Sequence, residues 1–183
     1  SAEQRLRRSH ANLACPEMPR RRAMHEPVSY IQQTRDLYDS LGYPPYRWFH
    51  AETEPAFVRP AKPLTECRVG MISSAGTYMA GQVAYYYKDD TSVRSIPAET
   101  PTSALRFSHV TENYLPNARK DPRCVFPSEA LAVLAADGTI GATADRYLSC
   151  MGGIYSQRRV HEELIPTLSA ELTEVDVLLL VPL

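Results

Sequence analysis

Asp176-Val177-Leu178-Leu179-Leu180-Val181-Pro182-Leu183 closes the chain, and six of these eight residues are aliphatic. An almost unbroken branched-apolar run of this length predicts a strand of a parallel sheet, covered on both faces. The alternative is a short edge strand, where Pro182 is tolerated. In open α/β sheets the ligand crevice lies just beyond the carboxyl ends of the strands. Leu183 is therefore expected to point at a cleft, with the rest of the sheet and of the site missing beyond it.

Working back from that strand, Val160, Leu164, Leu168 and Leu172 recur four apart and predict a helix from about Ser156 to Leu172, kinked or split at Pro166. Arg146 to Cys150 reads as a short strand, so the end of the chain forms a β–α–β unit. Ser128 to Ala136 reads as a short helix capped by Ser128 and ended by Gly138. Cys67 to Ser73 reads as the first core strand and Ser92 to Ile96 as a second, shorter one. Residues 97–127, rich in proline and polar groups, read as one long functional loop. The predicted fold is an α/β domain over residues 64–183, an open and mainly parallel sheet with flanking helices, flavodoxin- or Rossmann-like.

Two segments precede that domain. Residues 1–26 hold Arg5, Arg7, Arg8, Arg20, Arg21 and Arg22 against few carboxylates and little apolar content, which reads as a flexible basic arm. Residues 27–63 read as a helix opened by Pro27 and stopped at Gly42, then a segment with five prolines, Trp48, Phe49 and Phe57, suited to docking.

The 183 residues carry 20 basic and 21 acidic side chains, so the formal net charge of -1 gives no field that would gather nucleic acid or an anionic membrane. No apolar run approaches the roughly 18 residues of a membrane span. Cys15, Cys67, Cys124 and Cys150 form no CxxC pair, which argues against a disulfide framework or a zinc site and fits the reducing cytoplasm. No metal and no cofactor is expected in the chain. The glycine signatures of dinucleotide and nucleotide sites, the esterase elbow and the HExxH zinc motif are all missing.

Three small groups remain as candidates. Ser73-Ser74-Ala75-Gly76 offers hydroxyls and backbone N–H groups for a carboxylate. Ser73, Ser74 and Gly76 are its candidate binding residues, and a plain strand-to-loop turn is the competing reading. His109 is a candidate general acid or anion-orienting group, against the commoner surface or packing histidine. Cys150-Met151-Gly152-Gly153 would bring a thiol and free amides to the same crevice, against a merely buried cysteine.

The run Lys120-Asp121-Pro122-Arg123-Cys124-Val125-Phe126-Pro127-Ser128-Glu129-Ala130-Leu131, then Gly138-Thr139-Ile140-Gly141, then Met151-Gly152-Gly153, resembles the selenoprotein B family. That family comprises the glycine, betaine, sarcosine and D-proline reductases, and the chain resembles the D-proline reductase selenoprotein subunit in particular. The resemblance covers roughly residues 60 to 183. It implies reductive cleavage of a bond, C–N in known members, at a carbon beside a carboxylate or carbonyl. It further implies a redox selenocysteine directly after Leu183, with a cysteine shortly beyond, so that this chain alone would be inactive. A small carboxylate or carbonyl substrate, a thiol or protein electron donor, and either self-association or a partner subunit complete the expectation. Where the family often has His-Gly-Gly-Tyr-Asp, this chain has His109-Val110-Thr111-Glu112-Asn113-Tyr114, which bears on the substrate. The rival reading is a non-catalytic binding or assembly subunit complete at Leu183.

Overall fold

The computed structural model describes residues 29–45, 49–56 and 58–183. The basic arm, Pro27, Trp48 and Phe57 lie outside the described residues. The chain divides into two compact units, one ending at Pro55 and the other running from Ala56 to Leu183.

In the first unit, α1 spans Tyr30–Ser40. The Ser29 hydroxyl accepts from the Gln32 N–H at 3.4 Å and caps its start. Gly42, at φ +72°, follows its end, a conformation that glycine adopts without strain. The described residues of the proline-rich stretch after it form no helix or strand as far as Pro63.

The second unit is an open α/β fold built on β1 (Arg68–Ser73). A short antiparallel ribbon follows, β2 (Thr77–Met79) with β4 (Leu105–Phe107). Between them in sequence, β3 (Arg94–Pro97) joins the main sheet. Next come α2 (Pro116–Lys120), α3 (Ser128–Ala136), β5 (Ala142–Thr143) and β6 (Arg146–Ser149). The last helical run comprises α4 (Gln157–Arg159), a π-helical turn Val160–Leu164 and α5 (Ile165–Glu171), and it leads to β7 (Val177–Val181).

β7 runs parallel to β1 along nearly its whole length, from Val69↔Val177 to Ser73↔Val181. A strand has two edges, so β5 and β6 share the other edge of β1. Ala142 lies beside Arg68 and Leu148 beside Ile72, both parallel. The antiparallel β3 then pairs with β6 and makes the sheet mixed. The α4–α5 run thus carries the chain across β1 from one side to the other.

Alternation along β1 sorts the core into two layers. Val69 and Met71 join Ile96, Phe126, Leu131, Ile140 and Tyr147 under α3. Ile72 turns to the opposite face and meets Leu148, Cys150 and Leu164, with Val160, Leu168 and Leu172 packed around them. Each such side chain, fully buried, contributes about 1.5–3 kcal/mol of transfer free energy.

Three expectations are corrected. β7 is parallel, as its apolar run predicts, but it is an edge strand of the described sheet and is not covered on both faces. Leu179 is 37% and Leu180 64% exposed. The stretch 97–127 is not one loop, since it contains β4 and α2. Ser128 does not cap α3. The cap position is Pro127, while Ser128 is buried with its hydroxyl unpartnered. Pro166 does disturb its helix, through the π-helical turn immediately before it. Without an N–H, and with a ring that clashes with the carbonyl four residues back, proline cannot sit in an unbroken α-helical ladder there. Among the described residues no helix is long and apolar enough to cross a membrane.

Candidate functional site

The carboxyl ends of β1, β6 and β7 meet at one place, and the turns that leave them are interlocked. Ser73 is fully buried. Its hydroxyl donates to the Val125 carbonyl at 2.8 Å and accepts from the Ala75 N–H at 3.3 Å. The Ser74 N–H donates to the Val181 carbonyl, and the Gly76 N–H to the Cys150 carbonyl, each at 3.0 Å. The amides of Ser74, Ala75 and Gly76 are therefore occupied by the protein itself, in place of the free N–H groups anticipated for a carboxylate. The Ser74 hydroxyl accepts from the Leu183 N–H at 3.0 Å, so it anchors the residue after β7. Gly76 cannot be replaced: its φ is +61°, and a Cβ would lie 1.9 Å from the Ser108 carbonyl oxygen.

That contact fixes the path to His109. The Ser108 N–H donates to the Gly76 carbonyl at 3.0 Å, and the Ser108 hydroxyl to the Tyr85 carbonyl at 3.0 Å. Tyr85 is itself anchored, donating its phenol to the Ser149 carbonyl at 2.6 Å. His109 is consequently carried inward and is only 6% exposed. Its ring lies over the Met151-Gly152-Gly153 turn. A Cβ on Gly152 would sit 3.1 Å from Nε2 of His109 and 2.8 Å from the carbonyl oxygens of both Leu183 and Ser74. A Cβ on Gly153 would strike Val110 at 2.0 Å. The two glycines are the space into which the histidine, its neighbour and the end of β7 fit.

The protonation of His109 follows from its partners. The Thr111 N–H donates to Nδ1 at 3.1 Å, and the Thr111 hydroxyl lies 2.7 Å from the same nitrogen. An Nδ1 that accepts from a backbone N–H carries no proton, so the neutral ring bears its hydrogen on Nε2. Burial holds the imidazole below its ordinary value of 6.5, against the opposing pull of the Glu112 carboxylate. Nε2 is buried and has no hydrogen-bond partner. A buried N–H without an acceptor costs about 1–3 kcal/mol, and here it lies against the Gly152 backbone, beside the carbonyls of Ser74 and Leu183. The Gly153 N–H likewise has no protein acceptor among the described residues, whereas the bridge between Ala75 and Met151 turns the Gly152 N–H to the Ser74 carbonyl.

Cys150 does not join this group. It is 5% exposed, packs with Ile72, Leu148 and Leu164, and burial pushes its thiol up to about 11. Such a thiol is inert at neutral pH. Met151 is buried and pairs with Ala75 in a single β-bridge that closes the turns together. Cys124 is exposed, and among the described residues no group of three or more His, Cys, Asp or Glu side chains could hold a metal ion. The sequence reading passed over Thr111, whose placement two residues after a histidine lets its amide return to Nδ1. Leu183, expected to point at a cleft, packs against Ala75, Leu115, Ala118 and Val125.

One curated relative, the D-proline reductase subunit gamma of Acetoanaerobium sticklandii, is 30% identical to this chain over 128 residues, which is 69% of the chain and 52% of that protein. The chain thus spans about half the length of the relative it matches. No protein-family model and no solved structure matches the chain.

Proposed function

We propose that this chain forms the substrate-holding half of a reductase that cleaves a C–N bond at a carbon beside a carboxylate, with its redox residue, a selenocysteine or cysteine, placed directly after Leu183. The similarity to a D-proline reductase subunit supports the reaction class. The observation that carries the reading is the unpartnered Nε2–H of His109, buried at the point where the end of β7, the Ser74 carbonyl and Gly152 converge. The chalcogen would supply the nucleophile: its anion would bond to the substrate carbon as the C–N bond breaks and the nitrogen leaves with the electron pair and takes up a proton. One sulfur of a dithiol would then attack the chalcogen and release the carbon, which is protonated, and the second sulfur would free the chalcogen anion as the dithiol becomes a disulfide.

The residues of this chain have the remaining tasks. Neutral His109 presents Nε2–H as a hydrogen-bond donor, and the Gly153 amide presents a second. Together they suit the two oxygens of a carboxylate held beside the nucleophile. A ring kept neutral by burial is scarce as imidazolium near pH 7. Orienting the anion is therefore a better fit for His109 than delivering a proton to the leaving nitrogen. Ser74 holds the backbone of Leu183 and so aims whatever follows it. The departure from the His-Gly-Gly-Tyr-Asp pattern leaves the identity of the amine open, so D-proline is one member of a panel.

The test uses the chain continued past Leu183 through its natural reading frame, with cysteine at the proposed redox position. It is assayed with a dithiol against D-proline, sarcosine, betaine and glycine. Slow turnover of at least one amine is expected, and His109→Ala should raise KM more than it lowers kcat, because a carboxylate clamp acts before and during the reaction alike. Loss of kcat at unchanged KM would reassign His109 to proton transfer. No turnover of any amine by the intact extended protein, with a UAA or UAG codon found after Leu183, would replace this reading with a non-catalytic subunit.

A further inference from the structure

Away from the His109 crevice, the solvent face of the β2–β4 ribbon and the end of α2 enclose a cleft of about 500 Å³, within the range of small-molecule sites. Its charged lining is entirely cationic: Arg106 from β4, with Arg119 and Lys120 from the last turn of α2. Arg106 stands directly across the ribbon from Tyr78. Its guanidinium donates to the Ser103 and Leu105 carbonyls, each at 2.8 Å, and to no carboxylate among the described residues. Lys120 makes no ion pair among the described residues.

Three carboxylates stand near the cleft and none lines it. Asp121 and Glu129 pair with Arg123, at 2.7 and 4.0 Å, and Glu129 also accepts from the Thr102 hydroxyl at 3.3 Å. Glu112 holds Arg119 at 2.6 Å from outside the cleft. Solvated surface cations are common and mean little by themselves. Here they share a concave wall with Tyr78 and Phe107 and with the hydroxyl residues Thr102 and Ser103. Two fork-shaped guanidinium donors beside a lysine match a tetrahedral, multiply charged oxyanion better than a single carboxylate. The apolar wall suits an organic body attached to it.

We propose that this cleft is a second binding site, for a small molecule bearing a di- or polyanionic phosphate group. The inference is independent of the reductase reading, since none of its residues lies in the His109 crevice. Pyrophosphate serves as the probe, titrated into the full chain by calorimetry at physiological salt. One saturable site is expected. Arg106→Gln and Lys120→Gln should each weaken it about tenfold, the scale of one lost charge-assisted contact, while Lys88→Gln, an exposed lysine outside the cleft, leaves it unchanged. Amide resonances of Tyr78, Arg106 and Lys120 should move during the titration. The substituted side chains are exposed, and unaltered melting curves would show that the variants keep the fold. The proposal is overturned by no saturable binding, by equal weakening in the Lys88 variant, or by shifts centred on Gly152 and His109 instead. Succinate binding as tightly as pyrophosphate would remove the assignment to phosphate.

Discussion

His109 shows how a single residue's chemistry is set by backbone that surrounds it. The Thr111 amide fixes the tautomer, burial keeps the ring neutral, and Gly76 makes the close approach that carries the ring inward. Nitrogen-15 spectra of the imidazole should accordingly show the proton on Nε2, with the ring titrating below 6.5. A proton on Nδ1, or an ordinary titration, would remove the basis for the clamp. The glycines give a second test. Gly138 has φ +79° but open space around it, whereas Gly76 combines φ +61° with a carbonyl oxygen 1.9 Å from any Cβ. Gly138→Ala should therefore cost only the left-handed strain of about 1–2 kcal/mol, and Gly76→Ala should cost several times that or prevent folding, as urea melts would show. Equal costs would mean that the Ser108 contact is easily relieved. The sequence made the residue types of this site visible but not their partners. Ser73 and Cys150 look like ligand groups in a linear reading, and only the fold reveals that one hydroxyl is spent on Val125 and the other side chain is core.

At the scale of elements, the apolar run of β7 correctly marks a parallel strand but misstates its cover. Apolar content reports what a strand prefers to touch, and Leu180 is 64% exposed because nothing described lies over it. Leu178, by contrast, packs against the core layer of Ile72 and Leu148. Leu180→Lys should change stability by no more than about 0.5 kcal/mol, and Leu178→Ala should cost about 2 kcal/mol. A large penalty for Leu180→Lys would restore the doubly covered strand. The elements that escaped the sequence are the short ones. β4 has three residues and α2 has five, too few for a period of 2.0 or 3.6 to accumulate, and prolines around them resemble loop punctuation. Pro166 was legible as a break because its missing donor acts locally. That the ladder yields by a π-helical turn depends on keeping Leu164 in the core, which is a tertiary demand.

For the molecule as a whole, the buried titratable groups combine into a pH dependence of stability with two limbs. On the acid side, His109 is held below its ordinary 6.5 in the fold, so the unfolded chain takes up its proton first. Stability is full above 6.5 and falls as pH drops through that value, levelling once the folded ring also protonates. Glu163, held down to about 2 by hydrogen bonds from Arg159 and Thr91, adds a further loss as pH falls below the ordinary carboxylate range; solvent screening keeps that loss small. The alkaline limb has the opposite sign. Cys150 ionises at about 11 in the fold against an ordinary 9.0, so above 9.0 the unfolded chain releases a proton that the folded chain keeps. Stability should decline between pH 9 and about 11, by on the order of 2–3 kcal/mol from this thiol, and burial of the Tyr85 phenol, held above its ordinary value, extends the decline. Urea midpoints measured from pH 3 to 11 should trace this dome. His109→Gln should flatten the step just below 6.5, and Cys150→Ala, though less stable at neutral pH for the lost packing, should lose less between 9 and 11 than the parent chain. An alkaline limb of equal depth in both proteins would show that the Cys150 thiol is not held protonated by its place behind Ile72 and Leu164, and its exclusion from the crevice would then have to be reconsidered.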